Sequence, residues 1–112
     1  TDCRNYPAAL YAPAGASEPN RAAFAKWGAW VNTWCRRKYG RPLFLAMSAD
    51  LADSTNIAGF AKGTDDFAGY GWYERERNPE GVLLPQEITE FTNAGITCGI
   101  ASTNFAERPF EE

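Results

Sequence analysis

An α/β fold is what this sequence predicts: an incomplete three-layer unit on a parallel sheet, with one long irregular connection. Three observations carry that expectation. Leu43-Phe44-Leu45-Ala46-Met47 is a continuous apolar run of the kind a parallel strand shows when both its faces are covered. Val82-Leu83-Leu84, set off by Pro79, Gly81 and Pro85, is a second, shorter run. Each run neighbours a helical pattern, and strand, loop and helix in alternation are the parts of a parallel crossover.

Taken in chain order, residues 1–18 are rich in Ala, Pro and Gly, with Pro7, Pro13 and Gly15 spaced so as to stop a long helix or strand. They read as a linker or arm that wraps over another domain. Residues 19–112 read as the N-terminal part of one α/β domain, incomplete as it stands. Pro19 and Asn20 open a helix in which Phe24, Trp27, Val31, Trp34 and Cys35 recur at helical spacing, and Gly40 and Pro42 end it. Trp30 widens the apolar face. An aromatic stripe at this spacing is core or interface before it is a ligand platform.

After the first predicted strand, residues 48–80 hold Gly59, Gly63, Gly69 and Gly71 and the charged set Glu74, Arg75, Glu76 and Arg77. A connection well beyond about 12 to 15 residues is usually functional or mobile. Phe60, Phe67, Tyr70, Trp72 and Tyr73 either pack it down or face a cofactor or partner, and a short helix fits residues 56–61. The final pattern covers residues 88–101. From Phe91 to Ala106 no side chain is Asp, Glu, Lys or Arg. A helix of such residues, with small side chains at Ala94, Gly95, Cys98 and Gly99, is expected to be buried on most faces.

Glu90 would then sit half desolvated at the first turn of that helix, and desolvation raises a carboxylate's affinity for a proton, which suits it to proton exchange near neutral pH. The competing reading is that an acidic residue in a first turn complements the helix dipole. Position adds weight to the first: functional groups of parallel sheets gather at the carboxyl ends of strands, where Glu90 falls.

The run from Ile88 to Ala101 resembles the glutamate-bearing helix of thiamine diphosphate enzymes of the transketolase and pyruvate dehydrogenase type. Ala46-Met47-Ser48-Ala49-Asp50-Leu51, followed by Asp53, Ser54 and Thr55, is similar to the Gly-Ser-Ala-Asp-Leu stretch of the transketolase pyrimidine-binding domain. Ala106-Glu107-Arg108-Pro109-Phe110 is like the segment that follows the family's glutamate helix. The three matches stand in the family's order, over roughly the second half of the chain. Thr89 and Phe91 replace the Arg and His that flank the glutamate in most transketolases, a lean toward the dehydrogenase style, whereas Ser48-Ala49-Asp50-Leu51 leans toward transketolase.

The resemblance implies a Rossmann-like pyrimidine-binding domain in which Glu90 shares a proton with N1′ of the cofactor's aminopyrimidine and so activates it. It implies that Asp50 lies near thiamine diphosphate across a subunit interface. On turn chemistry alone, Asp50 equally suits a loop start with Ser54 and Thr55 as local partners. The expected reaction is transfer of a two-carbon ketol unit between sugar phosphates. The alternatives are decarboxylation of a 2-oxo acid by a pyruvate dehydrogenase-like relative, and a non-catalytic interaction module in which Glu90 caps a helix and residues 20–39 dock a partner. Two strands cannot complete a doubly wound sheet. The chain therefore reads as cut, stopping at Pro109-Phe110-Glu111-Glu112 where the family's next strand would begin. The Gly-Asp-Gly motif that holds magnesium and the diphosphate in the family is absent from it, so the isolated piece is expected to be inactive. The partners implied are a diphosphate-binding domain, a second subunit in a homodimer and a small-molecule substrate.

Composition bounds the rest. The 112 residues, 45% hydrophobic and 22% charged, suit one small globular unit. No apolar run approaches the roughly 20 residues of a membrane helix, and no leader is evident at the amino terminus. A net charge of −3 argues against a nucleic-acid surface. Arg36-Arg37-Lys38, with Arg41, reads as a solvated helix end. Cys3, Cys35 and Cys98 have no paired spacing, so no disulfide framework or zinc site is expected, Cys35 and Cys98 should be buried, and a reduced, cytoplasmic setting fits. With no His in the chain, the usual base of a Ser or Cys nucleophile is missing.

Overall fold

The computed structural model describes residues 2–85 and 88–103. The dominant element is helix α1, Asn20–Tyr39, and the second helix, α2, is Glu90–Ala101. Short 3-10 turns occupy Cys3–Asn5, Ala8–Leu10 and Ile57–Ala61. Helix α1 starts after Pro19, whose fixed φ suits an entry, and ends on Gly40, whose φ of 72° lets its N–H return to the Arg36 carbonyl at 3.0 Å.

The face that α1 buries is not the aromatic stripe itself. Fully covered are Gly28, Ala29, Val31, Asn32, Thr33 and Cys35, while Trp27, Trp30 and Trp34 flank them half-buried. The reason is close approach. A Cβ on Gly28 would lie 2.5 Å from the Phe60 ring, and one on Gly59 would lie 2.4 Å from Ala25 Cβ, so the Ile57–Ala61 turn lies almost on the α1 backbone. Phe24, Trp27 and Phe44 then close round the Phe60 ring, with centroids 4.9, 6.3 and 5.9 Å from it. Ala46, Phe60, Ala61, Tyr70, Val82 and Leu83 complete the core. The arm docks beside that contact: Tyr6 meets Trp30 at 4.9 Å, and the Ala8–Leu10 turn packs on the helix.

The expected Rossmann-like parallel sheet is absent among the described residues, and the α/β assignment is overturned. The two apolar runs meet in parallel register at a single residue pair, Ala46 and Leu83, and Leu83 makes one further parallel bridge to Trp72. Among the described residues, the backbone hydrogen bonds that join the runs are Ala46 N to Val82 O, 2.7 Å, and Leu84 N to Ala46 O, 2.8 Å.

Two asparagines explain why no ladder propagates. Asn32, 1% exposed, donates from Nδ2 to the carbonyls of Phe44 and Phe60 at 3.0 Å, and its Oδ1 accepts from Leu43 N at 3.0 Å and Phe44 N at 2.9 Å. Backbone groups that a strand would spend on a neighbouring strand are thus satisfied by a side chain. Asn78 does the same further along, donating to the Tyr70 carbonyl at 2.7 Å and the Trp72 carbonyl at 2.8 Å. Exposure of Leu43 and Leu45 agrees, because a strand covered on both faces would hide them.

Helix α2 departs from expectation in burial rather than in position. It has no buried residue, Phe91 is 90% exposed, and among the described residues it packs on no other helical element. Cys98, expected inside, is exposed, whereas Cys35 is buried as expected.

Candidate functional site

Thr89 fixes where α2 begins. Its backbone is extended (φ −153°, ψ 102°), and its Oγ1 accepts from Thr92 N at 3.3 Å and meets the Thr92 hydroxyl at 3.0 Å. Glu90 is therefore the first helical residue, as the sequence indicates, but its side chain stands in solvent. The half-desolvated carboxylate is not found.

Asp50 sits in a self-contained turn. Its Oδ1 accepts from Leu51 N at 2.7 Å and its own N–H donates to Ser48 Oγ at 3.2 Å. Ser54 Oγ donates to the Leu51 carbonyl at 2.9 Å, and Thr55 Oγ1 lies 3.3 Å from Ser48 Oγ. This is the local turn chemistry of Asp, Ser and Thr, and it leaves the Asp50 residue exposed. No hydrogen bond among the described residues joins Asp50 to Glu90. The third stretch of the resemblance, residues 106–110, lies outside the described residues.

Concavity lies elsewhere. One cleft of about 460 Å³ runs between the Ala8–Leu10 turn, the Ala25, Lys26 and Ala29 side of α1, and residues 53–64. A second, of about 360 Å³, lies beyond it and is walled by Ala61, Gly69, Tyr70, Trp72 and Leu83. Asp53, Ala58 and Lys62 belong to both. Glu90 and Asp50 line neither. The sequence did carry a signal for the first cleft: Ala25, Gly28 and Ala29 lie on one side of a helix and invite a close neighbour. The small residues at 94–99, by contrast, meet no neighbour: a Cβ on Gly95 or Gly99 would touch nothing within 4 Å among the described residues.

The remaining perturbed groups are structural. Burial pushes the Cys35 thiol above its ordinary value, against the opposing pull of Arg41 and Lys38. A thiol held protonated is a poor nucleophile. Burial likewise raises the Tyr70 phenol, with Arg36 opposing and Glu80 and Cys35 adding to the rise. The Arg36-Arg37-Lys38 end of α1 is more than a solvated terminus: Arg37 pairs with Asp65 at 2.9 Å and Asp66 at 3.0 Å, and the Arg36 guanidinium lies 4.4 Å from the centre of the Phe67 ring.

Among the described residues, thiamine diphosphate would find one carboxylate, Glu90, at the start of α2 and no enclosed site around it. Glu90 lines neither of the two clefts, and no group of three His, Cys, Asp or Glu side chains among the described residues is placed to hold a metal. No described helix is long and apolar enough to cross a membrane. No protein-family model matches the chain, and neither a curated protein nor a solved structure does.

Proposed function

We propose that this chain contributes one part of a thiamine diphosphate-dependent, transketolase-like enzyme that moves a two-carbon ketol unit between sugar phosphates, with Glu90 the carboxylate it offers to the cofactor. The reading rests first on the sequence resemblance. The observation that carries it further is the state of α2: Thr89 starts the helix at Glu90, and the same end presents Ile88 (79% exposed) and Phe91 bare. A surface that covered those apolar groups would enclose the carboxylate with them, supplying the desolvation that the chain alone does not. In this proposal the covering surface and the diphosphate and magnesium sites belong to the diphosphate-binding domain and a second subunit, in a cytoplasmic homodimer. Asp50 would reach the cofactor only across that interface.

The runner-up reaction, 2-oxo acid decarboxylation in the pyruvate dehydrogenase manner, uses the same glutamate and differs in its acceptor. A second class of reading, a non-catalytic interaction module, is favoured by the same bare α2, since exposed apolar side chains at one helix end also suit a protein partner.

Calorimetric titration of thiamine diphosphate with magnesium into the complete protein, wild type against Glu90→Gln, separates these. The enzyme reading expects saturable binding that the substitution weakens, with turnover lost and the fold kept, because the amide retains the shape and removes the ionisable group. Ketol transfer to an aldehyde acceptor, against consumption of a 2-oxo acid with an oxidant, decides the reaction. Absence of binding by the wild-type protein overturns the enzyme reading and leaves the interaction module.

A further inference from the structure

The two clefts share one charged boundary. Lys62 and Asp53 line both, and neither side chain makes an ion pair or hydrogen bond among the described residues, whereas Lys26 in the first cleft is engaged by Glu18 at 2.5 Å. Arg37, by contrast, pairs with Asp65 and Asp66. The walls to either side of this boundary are apolar: alanines and Leu10 in the first cleft, Trp72 and Leu83 in the second. Trp72, at the far end of the second cleft, is 48% exposed. A cavity of several hundred Å³, mainly apolar with a few polar groups, has the size and character of a small-molecule site.

We propose that this pair of clefts is a binding site for a small aromatic monocarboxylate, with the ring system in the apolar trough and the carboxylate on the Lys62 ammonium. An anion is expected because Lys62 is the cation left without a partner where the clefts join, and a charge-assisted contact there is stronger than a neutral one. One negative charge is expected rather than two, because Asp53 shares the same boundary and repels a dianion. An aromatic body is expected because Trp72, half-exposed, is among the residues that line one end. The site is separate from Glu90 and does not depend on the cofactor reading.

The test is a titration of 2-naphthoate into the full chain, followed by the amide shifts of a nitrogen-labelled sample, with 2-naphthylmethanol as the uncharged counterpart. Saturable shifts confined to residues around Ala29, Gly59, Lys62 and Trp72 support the site. So does binding weakened roughly three- to tenfold by Lys62→Met or by loss of the ligand's charge. Ala9→Trp, which fills the first cleft from the exposed arm, should compete with the ligand, and Glu90→Gln should leave binding unchanged. Equal binding of acid and alcohol, shifts centred on Ile88 and Phe91, indifference to Lys62→Met, or no saturable shift would each overturn the proposal. Unaltered shifts far from the clefts show that Lys62→Met and Ala9→Trp keep the fold.

Discussion

Helices α1 and α2 are built from similar materials and have opposite fates. Both contain small residues at helical spacing, both carry aromatic or branched apolar groups, and each holds an asparagine near its middle or first turns. In α1 the small residues are covered by the Ile57–Ala61 turn and Asn32 is saturated by four hydrogen bonds. In α2 a Cβ on either glycine meets nothing, and the Asn93 Oδ1 is shielded without any partner among the described residues. The lesson is that a small-residue helix face is an invitation to packing and does not bring the neighbour with it. Whether it is core depends on a second segment with complementary backbone.

The strongest way to break the contrast is at the asparagines. Asn32→Leu leaves the Leu43 and Phe44 N–H groups and the Phe44 and Phe60 carbonyls without their partner. Each buried unsatisfied group costs about 1–3 kcal/mol, so a loss of roughly 3 kcal/mol or more is expected in urea unfolding. Asn93→Ala in α2 should change stability by no more than about 0.5 kcal/mol.

A gentler comparison uses one substitution in both helices. Gly28→Ala drives a methyl into the Phe60 ring and is expected to destabilise by about 1–3 kcal/mol, whereas Gly95→Ala meets open space and should stabilise by about 0.5–1 kcal/mol through helix propensity. Thermal midpoints moving in the same direction would show that the two environments are alike after all. Smaller again is the cap: Thr89→Ala should cost about 1 kcal/mol, read as lost far-UV helical signal from α2 with the α1 core intact.

The last contrast is one of pH. Cys35 and Tyr70, both on the α1 side, have folded-state values raised by burial above 9.0 and 10.0 respectively. A raised value means the folded state holds the proton more tightly. The stabilisation is therefore whole below about pH 9 and is lost as pH climbs through the raised values. Urea midpoints should fall between pH 8 and pH 11 in the wild type and fall less in Cys35→Ala combined with Tyr70→Phe. A fall of equal size in the double variant would refute the assignment.

Much of the local structure was legible in the sequence. Pro19, Gly40 and Pro42 bracket α1, the short helix expected over residues 56–61 is found as the 3-10 turn Ile57–Ala61, and Glu90 opens α2. The tertiary inference failed where it relied on apolar runs. Leu43-Phe44-Leu45-Ala46-Met47 carries the composition of a buried strand, but composition does not record that an amide one helix away occupies its hydrogen-bonding groups. Asn32 drew no notice because a polar residue within an aromatic stripe looks like a break in the pattern. The clefts at Lys62 escaped for a related reason: their walls come from the arm, α1 and the loop at once, and no linear motif encodes that meeting.

The Asn32 amide also makes the molecule its own reporter of motion. The N–H groups of Leu43 and Phe44 are held by a side chain of α1 rather than by a neighbouring strand, so solvent deuterium can reach them only when the helix lifts away. Their exchange should keep time with that of Ala46 N–H, which is bound to Val82, only if the whole core opens in one step. A faster clock at Leu43 and Phe44 would mean that α1 breathes while the Ala46–Val82 contact stays shut.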